Sequence, residues 1–314
     1  MRTLPFFFFG LLVSFGLTSC SNSVVDPGQD PSTIYQANMA DIKTYTSLKG
    51  LTGTTSNTGL FFAPLKVNAT GLTATYGTEI EFNYRLYALY GPSNSSGAVT
   101  VTDRLLDSTY ISTPMYRYLY QGVLLPGLEE GLLKMHEGDQ AVMIMPSVLA
   151  FGNGSTSDLP ANSPVRFDVR LSRVRTEDQQ MDEYLTTQKM TPTEVTSTGL
   201  RFIKTQSNPT GLTPGPTQTL IIKYRGQLLR ATSNLKLGTA FDSTGTGTLA
   251  STATQFIPGF SEGLSKLKVG EKATIVFASK LGYADKGVTN SSTASYIIPP
   301  YAPLRFDIEL VSVQ

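Results

Sequence analysis

The sequence contains few of the residues on which metal and acid–base chemistry usually depends. Its 314 residues include one cysteine, one histidine and no tryptophan. A single cysteine excludes an intrachain disulfide, and one histidine leaves zinc sites and Ser-His or Cys-His hydrolase chemistry without support. With 25 basic and 24 acidic residues, the chain shows no charge signature of nucleic-acid binding. No glycine motif that could cradle a phosphate follows a predicted strand, so nucleotide binding is also without support. We therefore expect neither a metal nor a cofactor.

Sustained helical periodicity is also scarce, which favours β-rich domains with many turns. The clearest local pattern lies in residues 256–283. Three apolar residues recur there at i, i+4 and i+7 and mark one face of a short helix: Phe260, Leu264 and Leu267. Pro258 suits the start of this helix and Gly270 a stop after it. The β-branched run at residues 273–277 predicts a strand, and a helix this short must pack onto a sheet to be stable.

The first 20 residues are typical of a processing segment. Arg2 gives a positive start, and residues 6–17 form an apolar run that is too short to span a bilayer comfortably but suits a signal peptide core. The run ends in a Leu-Thr-Ser-Cys sequence that resembles the bacterial lipobox, in which the cysteine is lipidated. Cys20 is therefore the predicted lipid attachment point, and a buried free cysteine after an ordinary signal peptide is the alternative.

A lipidated Cys20 would anchor the chain to a membrane, because several acyl chains on one residue bind a bilayer stably. Ser21 follows the cysteine, and by resemblance to other Gram-negative lipoproteins this favours the outer membrane, with the protein facing the periplasm. The segment 21–33 is polar and contains prolines, so we expect a flexible tether.

An internal repeat indicates two tandem domains. Residues 124–135 match residues 256–267 without a gap. Other pairs follow in the same order: Thr58-Gly59-Leu60 with Thr198-Gly199-Leu200, Tyr84-Arg85 with Tyr224-Arg225, and Arg166-Phe167-Asp168 with Arg305-Phe306-Asp307. The unit is longer than about a hundred residues, which indicates tandem domains and not a solenoid. We place domain 1 at residues 34–176 and domain 2 at residues 177–314, each beginning with a weak helical pattern.

Domain 2 carries a series of short motifs in a characteristic order. They are Tyr224-Arg225-Gly226, Phe241-Asp242-Ser243, Phe256-Ile257-Pro258-Gly259-Phe260, Tyr283, Ile297-Ile298-Pro299-Pro300 and Leu304-Arg305-Phe306-Asp307. Each motif alone is weak, but together they resemble an FKBP-type peptidyl-prolyl isomerase domain over nearly the whole of domain 2. The resemblance implies an α+β fold, in which each tandem domain is a curved antiparallel β-sheet wrapped around one short α-helix.

The resemblance also implies a catalytic site in domain 2 that uses no nucleophile, metal or cofactor. Tyr283 would donate its hydroxyl to a substrate carbonyl, and the backbone amide of Ile257 would donate to another. Phe260 would form the floor, and Asp242 would lie at the wall. The side chains that would surround a substrate proline are Tyr224, Phe241, Phe256, Ile297 and Phe306. The alternative is that these aromatic residues are ordinary core of a β-rich domain.

Domain 1 departs further from the motif pattern. Leu106 and Leu128 occupy positions where domain 2 has phenylalanine, and Phe151 lacks the hydroxyl that Tyr283 provides. The final loop, residues 152–164, is also shorter than its counterpart. We therefore predict that domain 1 is a degenerate binding or structural domain, with catalysis as the alternative.

Two functions of different classes remain open. The first is a membrane-anchored peptidyl-prolyl cis-trans isomerase and folding helper, whose partners are proline-containing protein or peptide clients and the membrane, but not nucleic acid. The second is a non-catalytic peptide-binding chaperone or a module of an envelope complex. The aromatic set and Tyr283 of domain 2 favour the enzyme.

Overall fold

The structure is a computed structural model that describes residues 30–90, 101–232 and 235–314. The predicted signal peptide, Cys20 and most of the predicted tether lie outside these ranges. Among the described helices, none has the length and apolar character needed to cross a membrane. Each copy of the repeat forms a seven-stranded antiparallel sheet, and this confirms the predicted α+β fold with two tandem domains.

Domain 1 consists of a leading helix, a sheet and one short internal helix. Its elements in chain order are α1 (Pro31–Leu48), β1 (Thr54–Thr55), β2 (Phe61–Lys66), β3 (Glu79–Tyr90), β4 (Thr102–Ser108), β5 (Met115–Tyr118), α2 (Pro126–Leu132), β6 (Gln140–Met145) and β7 (Val165–Arg175). The strand order is β1-β2-β6-β7-β3-β4, and β5 also pairs with β3.

Domain 2 repeats this arrangement and adds a hairpin. Its elements are α3 (Glu177–Thr187), β8 (Glu194–Val195), β9 (Arg201–Gln206), β10 (Thr219–Leu228), β11 (Ala240–Ser243), β12 (Leu249–Thr252), α4 (Pro258–Ser265), β13 (Lys272–Phe277), β14 (Val288–Thr289), β15 (Tyr296–Ile298) and β16 (Leu304–Val313). The order β8-β9-β13-β16-β10-β11, with β12 also on β10, is the same as in domain 1. The strands β14 and β15 pair with each other.

The predicted helix face packs onto the sheet of domain 2. Phe260, Leu264 and Leu267 are 3%, 0% and 1% exposed. The helix α4 ends at Ser265, so Leu267 contributes to the same core from the turn that follows. Gly263 lets the helix approach the sheet closely: a Cβ there would lie 2.6 Å from Cδ1 of Ile275 on β13, so that side chain would have to shift.

The weak helical patterns at the start of each domain form the helices α1 and α3. Thr176 and Gln179 build a capping box at the start of α3, which satisfies two backbone donors at that end. Met181 and Leu185 then pack against Val276 of β13 in a buried cluster. The helix α3 is therefore joined in sequence to domain 1 but packs on domain 2.

Candidate functional site

Five aromatic side chains of domain 2 form a group that we call the aromatic cup. Phe260 and Phe306 are its two most buried members, 3% and 4% exposed, with ring centroids 5.0 Å apart. Tyr224 meets the Phe260 ring edge-to-face at 5.5 Å. Phe256 lies 4.8 Å from Phe260, and Phe241 lies 5.5 Å from Phe306. Phe260 and Phe306 therefore belong to the core of domain 2 as well as to this aromatic group.

The sheet places these rings together, and a glycine leaves room for them. In the ladder, Gly226 of β10 lies opposite Phe306 of β16 and opposite Asp242 of β11. A Cβ on Gly226 would lie 2.6 Å from Cε2 of Phe241 and 2.6 Å from Cε1 of Phe306. In the sequence, Gly226 is recognisable only as part of a motif. Its position between two rings is visible only once the strands are paired.

A carboxylate and two phenols lie close together in this aromatic group. The Tyr224 hydroxyl donates to Oδ2 of Asp242 at 2.7 Å, and Asp242 itself is exposed. Burial and the Asp242 carboxylate raise the pKa of Tyr224 to about 12. Burial, followed by the charge of Asp242, also raises the pKa of Tyr283. Both hydroxyls therefore stay protonated at neutral pH and can act as donors.

In the part of the chain that the structure describes, the Tyr283 hydroxyl forms no hydrogen bond with another protein group. Its ring is half-buried and packs against the apolar core of domain 2. The site therefore contains one phenol already paired with a carboxylate and one phenol free to bind a ligand carbonyl.

The backbone amide of Ile257 is a second free donor. Ile257 is the N-cap residue of α4, and its carbonyl accepts the amides of Phe260 and Ser261, each at 3.0 Å. No described group accepts its own amide hydrogen. Ile297 is half-buried and packs against the same core, while the next residue, Ile298, is 2% exposed.

A short 3-10 turn, Ser279–Leu281, positions Tyr283. Glu177 at the start of α3 accepts both the backbone amide of Ser279, at 2.5 Å, and its hydroxyl, at 2.7 Å. The contact between α3 and this turn was not predicted from the sequence. It joins residues about a hundred positions apart, and no local pattern indicates it.

Domain 1 keeps part of this arrangement. The Tyr84 hydroxyl donates to Asp107 at 2.5 Å, and the Tyr84 ring lies 5.7 Å from Phe167. Phe151 follows a 3-10 turn like the one before Tyr283, so it occupies the same place without a hydroxyl. Leu86 takes the place of Gly226, opposite Phe167.

A second concave region lies between the two domains. It has a volume of about 520 Å³ and is lined by residues of both domains, among them Tyr76, Lys280 and Tyr301. None of the aromatic cup residues lines it. The cleft and the cup are therefore separate features.

Comparison with known proteins identifies relatives of both domains. A family model described as FKBP-type peptidyl-prolyl cis-trans isomerase matches residues 75–172 and 211–311. The chain is 26% identical over 216 residues to peptidyl-prolyl cis-trans isomerase FKBP9 of Homo sapiens, covering 67% of this chain and 32% of that protein. It is 36% identical over 108 residues to FK506-binding protein 1B of Neurospora crassa, covering 33% of this chain and 90% of that protein.

A bacterial protein is also similar. Probable FKBP-type peptidyl-prolyl cis-trans isomerase FkpA of Neisseria meningitidis is 31% identical over 122 residues, which cover 38% of this chain and 40% of that protein. The matched part of the chain spans about a third of the length of the FKBP9 proteins. The two family-model segments together cover more than half of the chain.

Proposed function

The chain belongs to the FKBP-type peptidyl-prolyl cis-trans isomerase family, and we propose that it accelerates cis-trans exchange of X-Pro bonds in protein clients, mainly through domain 2. The observation that carries this proposal is the aromatic cup with two free donors beside it, the Tyr283 hydroxyl and the Ile257 amide. A proline ring fits against aromatic faces, and the flanking carbonyls of an extended peptide need donors.

The chemistry required is conformational. Rotation about a peptide bond faces a barrier of roughly 18–20 kcal/mol, and an X-Pro bond populates both isomers. At the twisted transition state the amide loses resonance and part of its dipole. An apolar cup therefore disfavours the planar ground state relative to the twisted state, which is catalysis by differential binding.

Individual residues have distinct roles in this proposal. Phe260 supports the proline ring from below, and Tyr283 and the Ile257 amide hold carbonyls of the substrate backbone. Asp242 accepts the Tyr224 hydroxyl at 2.7 Å and so fixes the orientation of that ring. Because Asp242 is already paired, we assign it the orientation of the rim and no proton transfer.

One observation favours a different function for domain 1, namely peptide binding without catalysis. Phe151 supplies no hydroxyl at the position of Tyr283, while the pair of Tyr84 and Asp107 is present. We propose that domain 1 binds apolar peptide segments without accelerating their isomerisation. The whole protein would then hold clients through domain 1 and isomerise them in domain 2.

We also propose that the protein is lipid-anchored in a bacterial cell envelope, in the outer membrane facing the periplasm. Support comes from the sequence around Cys20, which resembles a lipobox and contains the only cysteine. Expression of the Cys20→Ala variant in a Gram-negative host tests the anchor. The variant should move from the membrane fraction to the soluble fraction, and an unchanged distribution would contradict lipidation.

The catalytic proposal is tested with the full chain and a short X-Pro peptide. We expect the wild type to accelerate cis-trans exchange. Tyr283→Phe should lower kcat/KM by about tenfold, the value of one hydrogen bond of about 1–1.5 kcal/mol. Phe260→Leu should lower it as well, since the floor loses its ring.

A matched control is Tyr110→Phe, which removes a hydroxyl from a tyrosine of domain 1 that is 74% exposed. It should leave kcat/KM unchanged. If the wild type does not accelerate exchange, or if Tyr283→Phe and Phe260→Leu both match the wild type, domain 2 is not the catalyst we propose. Peptide binding without acceleration would favour the non-catalytic chaperone instead.

A further inference from the structure

The loop between β13 and β16 is stabilised by hydrogen bonds between its own residues. It begins at Tyr283, whose carbonyl accepts the amides of Lys286 and Gly287 at 3.2 and 3.1 Å. At its far end the amide of Tyr301 donates to the carbonyl of Ala284 at 2.8 Å. The strands β14 and β15 pair between these points. We call residues 283–302 the pocket loop, because it carries Tyr283 at one end and Ile297 near the other.

Close approach inside the pocket loop depends on a glycine. Gly287 has a φ of +59°, and a Cβ there would lie 2.3 Å from the carbonyl oxygen of Ile298. The two sides of the loop therefore touch, and this contact joins β15 to the segment that begins at Tyr283.

Residues of domain 1 contact the pocket loop from outside. The Tyr120 ring meets the Tyr296 ring edge-to-face, with centroids 5.3 Å apart and planes at 71°. Gly77 faces the other side of the loop, where a Cβ would lie 3.4 Å from Cδ1 of Tyr301. The amide of Gly77 donates to the carbonyl of Leu119 at 3.0 Å, so these contact residues belong to one surface of domain 1.

The same surface reaches the core of domain 2. Tyr118, at the end of β5, is 8% exposed and belongs to the buried apolar cluster of domain 2, and Tyr120 packs against that cluster. These tyrosines lie in domain 1 by sequence and topology. Domain 1 is thus part of the packing around the pocket loop.

A buried ion cluster fixes the two domains at this surface. Glu79 on β3 contacts Arg175 at 2.9 Å and Arg230 of domain 2 at 2.8 Å. The side chains of Glu79 and Arg175 are 2% and 3% exposed, and the ring of Tyr116 lies 5.6 Å from the guanidinium groups of both arginines. Loss of one partner from a buried ion pair is strongly destabilising, so this cluster resists separation of the domains.

We propose that Tyr120 of domain 1 is a positioning residue for the active site of domain 2, and that it acts by holding the pocket loop through Tyr296. This inference rests on the proposed isomerase function of domain 2. It gives domain 1 a role that needs no catalysis in its own pocket. Edge-to-face contact requires a ring at position 120 but not a hydroxyl.

The experiment uses the full chain with Tyr120→Ala and Tyr120→Phe. It measures kcat/KM on an X-Pro peptide and hydrogen exchange at the amides of Gly287 and Tyr301. Tyr120→Ala should lower kcat/KM by about three- to tenfold and speed exchange at both amides, because loss of one aromatic contact shifts the loop population by about that factor. Tyr120→Phe should keep both kcat/KM and the exchange rates at wild-type values.

The matched control is Tyr110→Ala, which removes a ring of domain 1 that is 74% exposed. It should change neither measurement. If Tyr120→Ala also speeds exchange throughout β3 and β16, the substitution has destabilised the whole fold. In that case Tyr120→Leu, which keeps apolar volume without a ring, is used in place of Tyr120→Ala. We expect the same lower kcat/KM and the same faster exchange at the amides of Gly287 and Tyr301.

Three results would overturn the inference. Unchanged exchange in the pocket loop of Tyr120→Ala would show that Tyr120 does not hold the loop. Faster exchange with unchanged kcat/KM would show that the loop position does not affect the site. Equal losses in Tyr120→Phe and Tyr120→Ala would exclude the ring contact as the cause. An inactive wild type would instead contradict the proposed function, and the exchange measurements would still test whether Tyr120 holds the loop.

Discussion

The two domains share one topology, but different side chains occupy the equivalent positions beside the shared phenylalanine of the last strand, Phe167 in domain 1 and Phe306 in domain 2. In domain 2, Gly226 leaves space that the rings of Phe241 and Phe306 occupy, and a Cβ would lie 2.6 Å from each. In domain 1 the corresponding strand positions hold Leu86 and Leu106, which pack against the core of that domain. Two leucines therefore replace a glycine and a phenylalanine. The difference shows that the sheet tolerates either solution and does not itself require an aromatic wall.

The polar groups divide into a pair that both domains share and a phenol that only one of them has. The tyrosine–carboxylate pair occurs in both domains, as Tyr84 with Asp107 and Tyr224 with Asp242. The free phenol, Tyr283, occurs only in domain 2. We infer that the pair organises the strand edge of either domain, and that the free donor together with the ring wall separates the proposed enzyme from the proposed binding domain.

The largest expected effect comes from giving domain 2 the wall of domain 1. The double variant Gly226→Leu with Phe241→Leu should lower kcat/KM by about 30- to 100-fold, since it removes an aromatic wall and fills part of the cup. Its stability should remain close to that of the wild type, because domain 1 folds with the same pair. Isomerase kinetics and urea unfolding of the full chain measure the two effects.

The single variant Gly226→Leu is the informative control. With Phe241 and Phe306 still present, the added side chain overpacks the site and should destabilise domain 2 by about 1–3 kcal/mol. The second change should restore that stability without restoring activity. A double variant with wild-type kcat/KM would show that the ring wall is not what distinguishes the domains.

Much of this fold follows from local and repeated patterns. The spacing of Phe260, Leu264 and Leu267 predicts the helix face, because burial on a sheet requires that period. The helix itself stops at Ser265, two residues before Leu267, so the apolar spacing continues past the end of the helix. The motif order in domain 2 predicts the family, which the family model confirms.

Other features could not be predicted from the sequence, because they depend on which strands pair and on which residues of the two domains are in contact. The role of Gly226 depends on its cross-strand neighbours, and the contact of Glu177 with Ser279 joins residues about a hundred positions apart. Tyr120 gives no signal in its own segment, because its partner, Tyr296, lies in the other domain. Contacts between distant segments have no period in the sequence, so the repeat could identify equivalent positions but not these partners.

A second difference between the domains concerns the partners of a buried carboxylate: Glu271 of domain 2 pairs with Lys204 at 2.9 Å, whereas its counterpart in domain 1, Asp139, pairs with no lysine or arginine of the described residues. Burial alone would raise the pKa of Glu271, but hydrogen bonds from the Lys268 amide, the Lys204 ammonium and the Asn208 amide lower it to about 2. Because the folded pKa lies below the ordinary value of 4.5, the carboxylate stabilises domain 2 fully above about pH 4.5. That contribution is lost as the pH falls through about 2.

The variant Glu271→Gln should therefore lower the free energy of unfolding by about 2 kcal/mol at neutral pH. The difference from the wild type should shrink between about pH 4.5 and 2, and urea unfolding at several pH values measures it. Asp139 is the counterpart in domain 1 and accepts the amides of Asn68 and His136 at 2.5 and 2.7 Å. Asp139→Asn serves as the comparison. A loss in Glu271→Gln that does not depend on pH would contradict the charge-based explanation.

The smallest expected effect tests whether a hydroxyl alone separates the domains. Phe151→Tyr adds the missing phenol to domain 1, and it is best measured in a chain that also carries Tyr283→Phe, so that domain 2 contributes less. We expect kcat/KM to rise by no more than about two- to threefold, because a donor without an aromatic wall stabilises the twisted amide only weakly.

Phe62→Tyr, which adds a hydroxyl to a half-buried phenylalanine on β2, is the control and should have no effect. A return to wild-type activity in Phe151→Tyr would mean that Leu106 and Leu128 form a sufficient cup and that the donor is the whole difference. A small gain would instead place most of the difference in the rings. The result therefore separates the contribution of the donor from that of the wall.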